Sequence, residues 1–200
     1  MIFNSLRINN YRAYYGESIF DFPIEGERNI SILYADNDVG KSCFFSAILF
    51  CLYGPKDSDD LKDLINVNAQ SEKSYHTEVS LFIENGQDKI EISRAIDLRG
   101  KLDATPSSKD FKCTLELIKN GVPLSSDEDE KADFSNSLVH EDASQYFFFD
   151  GEKINDYSTA SGSQYKDAIA RVLGIKEIDN AVEDLHLLKK EFEKIRDAWI

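Results

Sequence analysis

The sequence predicts an α/β fold: a mixed sheet round one long apolar helix, with an antiparallel β insertion and the root of a coiled coil. Three observations carry this. A short apolar run, NISILY at 29–34, leads through Gly40-Lys41-Ser42 into an apolar stretch that stops at Gly54-Pro55. From residue 75 the apolar period becomes two, around Asn-Gly pairs. In the last quarter apolar residues recur every three or four positions.

Taken in order, residues 2–8 alternate apolar and polar and read as a strand, with Ser18–Phe22 as a second. Asn29–Tyr34 suits a buried strand. SCFFSAILFCLYG is apolar nearly all round and has the length of a core helix. Thr77–Glu84 and Lys89–Ile96 flank Asn85-Gly86, a hairpin. Lys112–Lys119 and Val122 flank Asn120-Gly121, a second hairpin. Residues 99–110 read as a loop and Ser125–Lys131 as a solvated acidic turn. Tyr146–Phe149 reads as a short apolar strand, and 157–164 as a polar loop. Ile175, Ile178, Val182, Leu185, Leu188, Phe192, Ile195 and Trp199 are spaced 3, 4, 3, 3, 4, 3 and 4, a coiled-coil seam one residue short of regular. An amphipathic helix packing on its own domain is the other reading of that stripe.

Composition bounds the function. Hydrophobic residues are 42% and charged residues 30%, so the chain can build a core without staples. Apolar runs fall far short of the ~20 residues of a bilayer span, and the N-terminus lacks a secretory pattern, which points to the cytoplasm and no membrane. Cys43, Cys51 and Cys113 have no metal-ligand spacing and read as free thiols. The net charge is −14, which argues against a chain that coats a nucleic-acid backbone by itself. Residues 1–56 hold five Lys/Arg and six Asp/Glu, so −13 lies in the rest. An anion is therefore expected in the first quarter.

The chemistry sits at Ala35-Asp36-Asn37-Asp38-Val39-Gly40-Lys41-Ser42, between a strand and a helix. This is a phosphate loop, G-x-x-x-x-G-K-[ST], with its first glycine replaced by Ala35. Amides of Asp38 to Ser42 can curl round a phosphate at the positive end of the helix. Gly40 allows close approach, Lys41 supplies charge to the β- and γ-phosphates, and the Ser42 hydroxyl suits Mg²⁺. Asp36, Asn37, Asp38, Val39, Gly40, Lys41, Ser42 and Cys43 are thus the expected binding segment for ATP with Mg²⁺. The Ala35 departure also fits a decayed loop.

With the loop placed, LRINNYRAYYGESIFDF followed by a strand and the phosphate loop resembles the N-terminal lobe of SMC/RecF/SbcC-type ATPase heads. The segment YFFFDGEKI at 146–154 looks like that of the DndD branch, the ATPases of DNA sulfur modification, and of related anti-phage defence proteins. The resemblance implies a P-loop NTPase head lobe of the ABC/SMC type over residues 1–174, with a Q-loop-like segment at 145–152 and a coiled-coil helix starting at 175. It implies that Arg12 lies near the nucleotide, although an Arg pairing with a surface acid is the plainer reading. Asp150 matches the Q-loop residue that faces metal or attacking water, with Gln145 as the alternative. Glu152 is not a Walker B base, because Gly151 separates it from Asp150. Lys41 and Asp150 are then the catalytic expectations, and Ser42 and Asp150 the metal ones.

The implied activity is ATP hydrolysis in DNA modification, repair or anti-phage defence. It needs a C-terminal head lobe and a second head, a homodimer, together with other proteins of the system. Duplex DNA would be engaged by that assembly. A non-hydrolysing assembly module with a degenerate loop is the alternative, and a complete one-domain NTPase a third. Arg94 could face DNA or serve the structure; the second is favoured.

Overall fold

Period-two alternation builds one continuous antiparallel sheet. A computed structural model describes residues 1–23, 30–34, 36, 39–56, 59–99, 106–141, 144, 148, 182, 185–186 and 188–190. The chain forms two compact units, Met1–Val139 and His140–Ile200. In the first, strands β1 (Ile2–Asn9), β2 (Glu17–Asp21), β3 (His76–Asn85), β4 (Asp88–Leu98), β5 (Phe111–Lys119) and β6 (Val122–Pro123) lie in the order β2-β1-β3-β4-β5-β6. Every pairing is antiparallel. The sheet expected as mixed is antiparallel throughout the described residues, while the expected antiparallel β insertion forms as β3 to β6 and extends the sheet begun by β1 and β2.

The alternation also sets the two faces. Leu6, Ile8, Val79, Leu81, Ile83, Ile90, Ile92, Ile96, Leu115 and Leu117 point to one side and are buried. Asp21, Glu17, Glu78, Glu84, Glu91, Asp97 and Glu116 fall on the other, with Arg7, Lys89 and Lys112. Both expected hairpins form. The first turns one residue later than its Asn-Gly pair suggests, because Asn85 stays in the ladder opposite Asp88 and leaves Gly86-Gln87 as the loop. In the second, Asn120 (φ 53°) and Gly121 (φ 81°) are both left-handed, as a two-residue turn between twisted strands requires.

Helix α1 (Lys41–Tyr53) packs on the buried face through Phe44, Ala47, Ile48, Phe50, Cys51 and Leu52, and a short helix, α2 (Val67–Ser71), precedes β3. Its end is fixed twice. Arg94 Nε donates to the Cys51 carbonyl at 3.2 Å and Nη2 to the Leu52 carbonyl at 3.3 Å. Ser135 Oγ donates to the Leu52 carbonyl at 2.7 Å. Arg94 thus serves the structure, as favoured: its guanidinium closes the carbonyl end of α1. Gly54 makes room, since a Cβ there would stand 3.1 Å from Arg94 Nη1.

Two expectations in this unit are overturned. Ser125–Lys131 is the start of α3 (Glu128–Leu138), not a free turn. Asp127 Oδ1 accepts from the amides of Asp129 (2.8 Å) and Glu130 (3.2 Å), and the acids of the first turn suit the positive helix end. Ile30–Tyr34, expected as a buried strand, carries no strand pairing, and Ile30, Ile32 and Tyr34 are 82%, 85% and 91% exposed. An apolar run becomes a strand only beside a partner strand, and the sheet ends at β2 and β6.

In the second unit the Ser144 amide donates to the His140 carbonyl and the Phe148 amide to the Ser144 carbonyl (2.8 Å). Of the strand expected at 146–149, Phe148 is described, at a bend; the other three residues lie outside the described residues. Val182, Leu185 and Leu188 of the expected seam are helical and exposed. The expected boundary at 174/175 lies outside the described residues. Among those described, no helix is long and apolar enough to cross a membrane.

Candidate nucleotide-binding site

The amino end of α1 opens on a glycine. Gly40 is its N-cap, with φ 102° and ψ 19°, and no side chain caps the helix. This left-handed conformation is open to glycine and strained for other residues. Space imposes the same choice, since a Cβ on Gly40 would lie 3.0 Å from Ala13 Cβ. The Gly40 carbonyl accepts from the Phe44 amide at 3.1 Å and from the Tyr14 hydroxyl at 3.2 Å. Lys41 Nζ donates to the Asp36 carbonyl, so the side chain folds back across the loop that precedes it. Ser42 is exposed on the first turn, Cys43 half-buried, and Asp36 and Val39 exposed.

A second loop, between β1 and β2, holds this end in place. Asn10 (φ 50°) closes it, its Oδ1 accepting from the Gly16 amide at 2.8 Å. Tyr11 is buried, its hydroxyl 3.0 Å from Ser46 Oγ on α1 and its ring 5.2 Å from Phe50. Burial pushes the Tyr11 phenol above its ordinary pKa, and burial does the same to Tyr14. Both therefore remain neutral donors at ordinary pH. Arg12 (φ 47°) donates its amide to the Leu64 carbonyl at 2.9 Å, and its carbonyl accepts from Asn66 Nδ2 at 2.6 Å. Its guanidinium meets Asp59, Nη2 to Oδ1 3.5 Å, which is the plainer of the two roles expected for Arg12.

The structure thus brings Arg12's loop, Gly40, Lys41, Ser42 and Cys43 to one end of α1. Ala35, Asn37, Asp38, Gln145, Asp150 and Glu152 lie outside the described residues. Sequence reasoning missed Ala13, Tyr14, Asp59 and Asn66. Only Tyr14 gave a signal, as one of the aromatics beside Arg12; Asp59 and Asn66 reach the site through the chain's path after α1, which no spacing announces. Beside the loop lies a cavity of about 700 Å³ lined by Lys41, Phe44, Phe45, Phe20, Phe22 and Ile32 among others. Among the described residues no cluster of His, Cys, Asp and Glu could hold a metal by itself.

The pattern of the AAA domain family matches residues 5–198, nearly the whole chain. The chain belongs to the AAA domain family. Two relatives are the DNA double-strand break repair Rad50 ATPases of Methanocaldococcus jannaschii, 24% identical over 194 residues, and of Methanococcus maripaludis, 23% identical over 205 residues. Each alignment covers 97% of this chain but only 17% and 18% of the relative. The AAA domain described here therefore spans less than a fifth of the curated relatives it matches. Its mixed α/β architecture, with the antiparallel sheet against α1, is that of a P-loop NTPase N-terminal lobe. Membership and the Rad50 likeness support the SMC/RecF-like head expected from the sequence.

Proposed function

We propose that this chain is the ATP-binding N-terminal lobe of an SMC-like ATPase head that works on DNA. The carrying observation is the amino end of α1: a left-handed Gly40, Lys41 folded over the loop and an exposed Ser42, on a helix that no side chain caps. Phosphoryl transfer to water asks mainly for positioning and for cations at the developing charge. Lys41 moves from the Asp36 carbonyl to the β- and γ-phosphates, and Arg12 adds a second cation. These donors fit a nucleotide, and the Ser42 hydroxyl fits Mg²⁺ as one oxygen ligand among phosphate oxygens and water. When bound, Mg²⁺ held by the Ser42 hydroxyl would supply charge neutralisation to the phosphates. Asp36 to Cys43 bind the nucleotide, and Asp150 faces metal or water in the Q-loop-like segment 145–152.

Hydrolysis then needs groups from a C-terminal head lobe and from a second head. The exposed Ile30–Tyr34 run beside the cavity supports a neighbouring lobe that pairs with it. The head lobe covers 1–174, and exposed Val182, Leu185 and Leu188 support a coiled coil from 175. The Rad50-named relatives support DNA repair as the setting, while YFFFDGEKI supports the DndD-like and anti-phage branch within the superfamily. The site is tested by titrating wild type and Lys41→Ala with a fluorescent ATP analogue and Mg²⁺. Loss of a charge-assisted phosphate contact of about 1.5–3 kcal/mol weakens affinity roughly 10- to 150-fold. Equal affinities overturn the reading.

A further inference from the structure

Arg12 is held tightly by its backbone and loosely by its side chain. The backbone is left-handed, with both its amide and its carbonyl tied to Leu64 and Asn66. Such conformations persist where the surroundings over-determine them. The guanidinium, in contrast, makes one long hydrogen bond, Nη2 to Asp59 Oδ1 at 3.5 Å, and lies over the Tyr11 ring, 5.8 Å from its centroid. The other carboxylate oxygen of Asp59 is already engaged, accepting from the Lys56 amide at 3.0 Å. Arg12 Nε is the one buried side-chain nitrogen or oxygen among the described residues without a hydrogen-bond partner. An Arg–carboxylate pair formed for stability is short and two-pronged. Here the pairing leaves a buried donor unmade, which costs free energy.

The loop that carries Arg12 stands at the amino end of α1, and Asp59 meets that loop through the Arg12 guanidinium. Tyr11 reaches Ser46, and Ala13 lies against Gly40, on either side of Arg12. The charges of Arg12 and Asp59 both act on the Tyr11 phenol. We propose that Asp59 is a holding carboxylate that keeps Arg12 aside and competes with the nucleotide's phosphates for its guanidinium. The proposal rests on the nucleotide-binding reading above. A triphosphate offers several charged oxygens to the guanidinium fork. The exchange replaces one long hydrogen bond by several and frees Nε from its unsatisfied position. Asp59 therefore acts against binding, and acts only through Arg12.

The test uses the complete protein, a fluorescent ATP analogue and Mg²⁺, with Asp59→Asn, Arg12→Gln, the double variant and Lys41→Ala. Asn retains an acceptor for the Lys56 amide; Asp59→Ser is the second charge-removing variant should Asn fail to fold. Asp59→Asn is expected to tighten binding about two- to fivefold, the worth of a part-exposed ion pair. Arg12→Gln weakens binding, and in that background Asp59→Asn changes nothing. A gain in affinity is a result that structural damage does not produce. Unchanged or weaker binding by Asp59→Asn, with Lys41→Ala and Arg12→Gln both weakened, overturns the holding role and leaves the nucleotide site standing. Equal tightening with and without Arg12 overturns it too, in favour of a general charge effect. An unaffected Lys41→Ala overturns the nucleotide reading and this proposal together.

Discussion

Gly40 carries two independent constraints, a positive φ and the nearness of Ala13, and single substitutions can separate them. Gly40→Ala meets both and is expected to weaken nucleotide binding, with the left-handed backbone alone costing about 1–2 kcal/mol. Adding Ala13→Gly removes the contact but not the backbone strain, so affinity should return only in part; full recovery, or none, in the same titration would show that one constraint acts alone. Cys51 offers a pH test. Burial pushes its thiol from its ordinary 9.0 up to about 12. The unfolded chain releases that proton first, so stability is intact below pH 9 and declines as pH rises from 9 towards 12, by about 1.4 kcal/mol per unit. Comparing urea midpoints of wild type and Cys51→Ala at pH 8 and 10.5, the wild-type advantage should shrink by about 2 kcal/mol. A constant difference would contradict it. At this scale the sequence showed Gly40, Lys41 and Ser42 because a local motif is written in adjacent letters. It concealed Asp59 and Asn66 because their roles depend on where the chain returns after α1.

At the scale of elements, α1 is fastened at the end opposite its phosphate loop. Arg94 crosses from β4 to the last carbonyls, and Ser135 of α3 joins it. Arg94→Gln is expected to destabilise the chain by about 1–3 kcal/mol, from lost charged hydrogen bonds and lost complement to the helix end. Arg94→Lys, a point charge in place of a planar fork, should recover only part. A denaturation midpoint for Arg94→Gln equal to wild type would refute the fastening role. Strands and α1 were legible because burial on one side writes a period into the sequence. The start of α3 was not read, although Asp127 ahead of three acids is a cap followed by a favourable first turn. Ile30–Tyr34 was misjudged for another reason: its residues favour a strand, but pairing belongs to two segments, and composition describes one.

For the whole molecule, charge decides what the sheet can touch. Its open side carries Glu17, Asp21, Glu78, Glu84, Glu91, Asp97 and Glu116 against Arg7, Lys89 and Lys112. Arg7 is already engaged, 5.4 Å from the Phe82 ring and 3.5 Å from Glu17. Arg94 points to the helix instead. Binding to duplex DNA by the 200-residue chain should therefore stay in the non-specific range, no tighter than ~10⁻⁴–10⁻⁶ M at physiological salt. Gel shifts at two salt concentrations measure this, and sub-micromolar binding would show a basic surface elsewhere. The bare Ile30–Tyr34 run has a consequence for biosynthesis. It is uncharged, rich in strand-forming residues and open to water, the profile of an aggregation nucleus. In a polypeptide as long as the Rad50 relatives, any downstream partner strand would leave the ribosome hundreds of residues later, a delay of roughly tens of seconds at ~5–20 residues per second. Through such an interval a nascent chain would display a sticky ribbon, and its safe production would depend on chaperones or on prompt synthesis of the rest.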